Sequence, residues 1–222
     1  GVIAPIILRQ YASNNISEMK KLFYNSISYQ GFLMVVPSTI IFVYAEDIIK
    51  FWIGQEFQSL AVFLKIIVIH QPISQAARQV FTLNTAYNKM KIQASLTLAF
   101  GLLHIVTIFL LMKETNLGLL AVVVSNSFYY CALYAIVLPV VVSKYLRSSL
   151  ITLLKEYSMV IIYLCISIIV TINIHSMTDL TSFSSFLISV LGAVVIVFCI
   201  GVLILYSIKE EFKNLFLNFC KR

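Results

Sequence analysis

The chain has 222 residues, of which 60% are hydrophobic and 11% charged, with a formal net charge of +7. Soluble domains carry about a quarter charged residues, so this composition excludes an ordinary water-soluble fold. The basic excess lies mostly in short connections between apolar runs, where membrane proteins carry orientation signals; it does not point to a nucleic-acid partner.

The apolar runs are continuous and approach the roughly 20 residues that cross hydrocarbon. Barrel strands would instead alternate in segments of about 10 residues, and open backbone cannot stand in lipid. The expected fold is therefore all-α, a polytopic transmembrane helix bundle of about six spans. The chain opens with an apolar stretch over residues 1–8, begins with Gly1 and shows no secretory signal peptide. It reads as the C-terminal part of a longer protein.

The first predicted span covers residues 22–45 and contains Pro37. The second, 59–85, holds Lys65, His70 and Arg78. The third, 92–112, has His104 as its only ionisable group. The fourth covers 117–142, the fifth 157–175 and the sixth 183–208. The longest connections are 45–58 and 143–156, too short for a soluble domain.

Alternate connections carry twelve Lys and Arg residues on one side against two on the other, with Lys65 and Arg78 inside the second span. This alternation fits six crossings, and the positive-inside rule then places both visible ends in the cytoplasm. Trp52 and Tyr145 are expected at the headgroup levels. Phe212, Leu215, Phe216 and Phe219 are spaced for a short interfacial helix in the tail 209–222. Cys131, Cys165 and Cys199 lie in apolar runs and are expected as buried small hydrophobes; Cys220 lies near the end, and no pair has metal or redox spacing.

Ionisable groups at membrane depth are costly and turn toward protein or a wet cavity. At about 100° per residue, Gln71, Gln75, Arg78, Thr82 and Thr85 share one narrow sector of the second span. Arg78 is the candidate for an anionic headgroup because a guanidinium matches phosphate oxygens in geometry and charge. Gln71, Gln75 and Thr82 would hydrogen-bond along the same wall. The bland alternative for Arg78 is a structural pairing with backbone carbonyls. Lys65 lies off the stripe and is expected to snorkel outward; His70 is also off it, and a proton-relay role for His104 is the lesser reading.

No catalytic residue, metal set, nucleotide loop or nucleophile elbow is found, so no enzyme and no cofactor are expected. All nine carboxylates, Glu156 among them, are placed in connections or ends, leaving none embedded to carry a coupling ion.

Several short motifs follow one another in order. Ala4-Pro5 precedes Arg9-Gln10-Tyr11-Ala12 and a basic segment to Lys21. A helix with mid-span Pro37 exits through Ala45-Glu46-Asp47-Ile48-Ile49-Lys50-Phe51-Trp52-Ile53-Gly54. A helix then ends near Asn84 before a basic connection, and Asn116-Leu117-Gly118-Leu119-Leu120-Ala121 opens the next, with Ala121 where a second Gly would stand. Together they resemble the C-terminal half of the polysaccharide and O-antigen flippases of the MOP exporter superfamily. The likeness covers residues 4–142, the end of one helix plus four spans; 143–222 supplies two further spans and a cytoplasmic tail, matched by hydropathy and position.

The resemblance implies a multi-pass protein of the bacterial inner membrane. It implies movement of an undecaprenyl-pyrophosphate-linked oligosaccharide between leaflets by alternating access. The partners implied are that lipid-linked oligosaccharide, membrane lipids and the N-terminal half of the same protein. The alternatives are a MATE-like exporter of small cations, which would prefer an acidic cavity, a membrane enzyme of envelope glycan synthesis, which needs a catalytic set, and a scaffold subunit, which has no use for a polar stripe.

Overall fold

Asn15 opens the first long helix: its side-chain oxygen accepts the Glu18 backbone N–H at 3.4 Å, satisfying one of the donors a helix start leaves free. The computed structural model describes residues 3–178, 181–210 and 212–214. A short helix α1 (Ile3–Ala12) leads into α2 (Ile16–Val43), in which Pro37 is carried without a break. The next connection is itself helical: α3 (Ala45–Trp52), then Gly54 at φ 129° and a 3₁₀ turn (Gln55–Leu60). The second span follows as α4 (Ala61–Ile69), α5 (Gln71–Ala77) and α6 (Gln79–Ala86).

Then come α7 (Met90–Glu114) and α8 (Leu120–Cys131). A π-helical segment (Ala132–Val137) joins α8 to α9 (Leu138–Leu146). The chain ends in α10 (Leu150–Met177) and α11 (Phe183–Ile208). Six of these runs are long and apolar enough to cross a membrane, and among the described residues there is no strand. The fold is an all-α polytopic bundle.

The ends of the spans are fixed by contacts. At one end, Tyr24 donates to Ser148 at 2.7 Å, and the Tyr87 ring sits 4.8 Å from Tyr11 and 5.2 Å from Tyr145. Asn84, buried there, donates to Gln93 at 2.6 Å and accepts from the Tyr145 hydroxyl, tying α6, α7 and α9. At the other end Lys65 pairs with Glu46 at 2.7 Å, His175 with Asp47 at 2.8 Å, and Phe51 packs on Phe183 at 5.7 Å. The Lys- and Arg-rich connections therefore share one end of the bundle, called the basic end below.

At the centre, α2 packs along α10 and against α4 and α5. Gly31 of α2 faces Val160 of α10 so closely that a Cβ would stand 2.5 Å from a Val160 methyl. Next to Gly31, Phe32 stacks at 4.5 Å on Tyr163, about a turn beyond Val160 on α10, and the Tyr163 hydroxyl donates to the Val197 carbonyl of α11 at 2.7 Å. On α11 the buried positions Ser189, Ala193, Val197, Gly201 and Leu205 fall every four residues. Such a stripe of mostly small side chains lets helices approach in lipid, where water gives no hydrophobic drive between them. In contrast, α7 exposes nearly all its surface, with Leu98, Leu102 and Phe109 facing outward.

Several expectations are corrected. The fifth span starts at Leu150, not 157, because Ser149 caps it by accepting the Ile151 N–H at 3.2 Å. Glu156 therefore lies in the second turn of α10, not in a connection, and it is buried. Its carboxylate takes two hydrogen bonds from Lys209 at 2.7 and 2.8 Å and one from Ser28. The bundle thus does hold an embedded carboxylate. Tyr145 turns inward to Asn84 instead of outward to headgroups. Cys165 and Cys199 are exposed on outer faces and Cys131 is half-buried, so these thiols serve as lipid-level surface more than as core. The connection 45–58 carries α3 and the start of the 3₁₀ turn. Trp52 there is 80% exposed, open on its outer face. Of the tail, Leu215, Phe216, Phe219, Cys220, Lys221 and Arg222 lie outside the described residues, as do Asp179 and Glu211.

Candidate functional site

The polar stripe runs through a span with two breaks. Pro72 has no N–H to give the Val68 carbonyl, so α4 ends at Ile69, and His70 sits at the break with Nδ1 3.0 Å from Ser74 Oγ. The second break is Arg78 itself. Its N–H bonds to the Gln75 carbonyl at 3.1 Å, and the Phe81 N–H bonds back to the Arg78 carbonyl at 3.0 Å. These i to i−3 bonds are overwound relative to an α-helix. Residues beyond Arg78 are therefore rotated away from the sector that an unbroken helix would give them.

The structure accordingly divides the stripe. Arg78 and Thr82 line a groove of about 490 Å³ together with Gln79, Ile3 and Ala4 of α1, and Tyr29, Gln30, Leu33 and Met34 of α2. Gln71 and Gln75 do not line it; the Gln75 amide donates to Gln71 at 3.2 Å. Thr85 is exposed and its hydroxyl returns to the Phe81 carbonyl at 3.0 Å. Across the groove, Gln79 donates to the Gln30 amide oxygen, which fixes both side chains as a wall between α2 and α6.

Arg78 is exposed, and among the described residues no carboxylate lies within ion-pair distance of it. It stands eight residues before the end of α6, about 12 Å of helix rise from the basic end. An unpaired guanidinium at that depth offers up to five N–H donors, and a phosphate-type anion entering the groove would meet them beside two fixed amides.

Lys65 and His70 stand apart from the groove. Lys65 is held by Glu46 at the other end, and His70 is buried against Ser74 and the Tyr130 ring, 5.6 Å away. The groove residues that the spacing argument did not single out are Tyr29, Gln30 and Gln79. Gln30 carried a legible signal, being an uncharged polar residue inside the apolar run of the first span. The pairing with Gln79 did not, because it joins positions 49 residues apart.

Over 144 residues the chain is 24% identical to an uncharacterized membrane protein, EpsK, of Bacillus subtilis (strain 168). The match covers 65% of this chain and 28% of that protein, so this chain spans well under two thirds of its relative's length. No protein-family model matches the chain, and no solved structure matches it. The apolar helices and this similarity together describe a multi-pass α-helical membrane protein.

Proposed function

We propose that this chain is part of an inner-membrane exporter, of the polysaccharide flippase kind within the MOP superfamily, which moves a lipid-linked oligosaccharide across the bilayer without chemical change. The observation that carries the reading is the exposed Arg78 in a groove walled by amides and free of carboxylate. Such a site suits a pyrophosphate headgroup. It does not suit the cationic cargo of a MATE-like exporter, which gains nothing from a fixed guanidinium. A glycan-synthesising enzyme is the other reading; it would favour a carboxylate, His, Lys or Cys in the groove, and the lining has none.

Complementation tests it. The full-length protein should restore surface glycan in a flippase-null strain carrying the matched glycan. Arg78→Ala should reduce that glycan at least about tenfold, since a charge-assisted hydrogen bond contributes about 1.5–3 kcal/mol. Equal export by the alanine variant would remove Arg78 from the mechanism. Failure of the unaltered protein on the matched background would end the flippase reading.

On this reading the basic end faces the cytoplasm. In a protein freed of its native thiols, Gln55→Cys should react with a membrane-impermeant maleimide added to intact spheroplasts. Lys144→Cys should react only after lysis, and the reverse pattern would invert the topology.

A further inference from the structure

A second cavity lies on the far side of the second span. It is a cleft of about 210 Å³ between α7 and the α8–π segment, lined chiefly by Thr97, Gly101 and His104 from one side and Asn126, Tyr130 and Tyr134 from the other. On α7 the three residues fall at i, i+4 and i+7, one face of a helix. Across from them, the π segment (Ala132–Val137) carries Tyr134 into line with Tyr130, their rings stacked at 5.5 Å. Single π turns inside α-helices occur frequently at functional sites.

What marks this cleft is a polar and aromatic lining between two apolar spans. Tyr129 satisfies its hydroxyl with Thr107 at 2.6 Å. His104 Nε2 is buried there without a hydrogen-bond partner among the described residues, and beside it stand the half-buried Asn126 amide and Tyr134 hydroxyl and the exposed Tyr130. A buried ring nitrogen without a partner is expensive in hydrocarbon, and with the amide and hydroxyls beside it the cleft suits an occupant that offers both donors and acceptors. The lining holds no carboxylate and no Lys or Arg, so the occupant is neutral. The volume is below the roughly 300–1,000 Å³ of sites for drug-sized molecules. Phe100 offers an apolar wall beside the polar groups.

We propose that this cleft binds one neutral sugar ring of a glycan, its hydroxyls meeting Asn126, His104, Tyr130 and Tyr134 while its C–H face lies against Phe100. The choice of a sugar as ligand rests on the exporter reading above, whereas the polar and aromatic lining of the cleft stands without it. Arg78 takes the anionic part of the same substrate class in the first groove.

Gly101 gives a clean test. A Cβ built there meets nothing within 4 Å, so a leucine side chain starts into open cleft space, and leucine favours the helix over glycine. The full-length protein in lipid nanodiscs would be examined by saturation-transfer NMR with D-glucose, D-galactose, N-acetyl-D-glucosamine and L-rhamnose. At least one sugar should receive saturation, and Gly101→Leu and Asn126→Leu should each weaken its binding at least about tenfold, with Leu98→Ala, on the outer face of α7, leaving it unchanged. A thermal unfolding midpoint equal to the unaltered protein's would qualify each variant as folded. If no sugar of the four binds, or if folded Gly101→Leu binds as well as the unaltered protein, the proposal is overturned. Sugar binding without glycan export would count against the exporter reading alone; export without sugar binding would count against the cleft alone.

Discussion

Glu156→Leu should lower the unfolding free energy by about 3–5 kcal/mol, the loss expected when one partner of a buried ion pair is removed. The Glu156 and Lys209 side chains are 9% and 12% exposed, and their atoms approach to 2.7 Å. The carboxylate also accepts from Ser28, and Lys209 also reaches the Asn25 side-chain oxygen at 3.2 Å. With leucine at 156 the ammonium keeps, among the described residues, only that neutral contact. The cluster joins α2, α10 and the end of α11, so its loss should free α11 first. Replacing both residues by leucine should recover most of the stability, because no charge is then left to desolvate. Reversible unfolding in mixed micelles measures all three proteins. Since Lys209 caps the last turn of α11, the contrary outcome is definite: a loss below about 1 kcal/mol would mean that the ammonium swings to water and the pair behaves as a surface bridge.

This pair also shows where reading the chain alone stops. Span number and alternation rest on quantities local in sequence, namely apolar length and the sign of each connection. Residues 183–208 were accordingly legible to the residue. The start of α10 was not, because Lys155 and Glu156 read as a polar connection when taken alone. Glu156 becomes tolerable in a bundle only through Lys209, 53 residues later, and Ser28, 128 residues earlier. The groove follows the same logic. Arg78 and Thr82 were visible as polar residues in a span, and both line it. Extending the stripe to Gln71 and Gln75 assumed an unbroken helix, although Pro72 was a visible sign of a break. The second break, at Arg78, has no such sign, since Gln75, Arg78 and Phe81 are each acceptable helix formers. The groove's other wall comes from α2, through a Gln30–Gln79 contact that spacing within one span cannot reveal.

The close approach of α2 to α10 at Gly31 is a stronger test of the packing than any polar contact. Gly31→Leu should part α2 from α10 and remove most of the folded protein from detergent extracts. At Gly31 an added Cβ would stand 2.5 and 2.9 Å from the two methyl carbons of Val160 and 3.3 Å from its Cβ. Val160 cannot yield: it is fully buried, and a helical valine holds one χ1 rotamer about nine times in ten. The backbones must move instead, which also unstacks Phe32 from Tyr163 one turn away and loosens the bond from Tyr163 to the Val197 carbonyl. Gly31→Ala is the measurable form of the same clash and should cost about 1–3 kcal/mol, despite alanine's better helix propensity. Val160→Ala removes the two methyls in conflict and costs a cavity of its own. Combined with Gly31→Ala, it should restore much of the loss, because the volume added on one helix is taken from the other. The double-mutant cycle should then show a coupling of about 1 kcal/mol or more. Additive losses in the two single variants would mean that the helices do not meet at this pair. The α2–α10 seam, on which both the groove and the Glu156 cluster are built, would then lie in a different register.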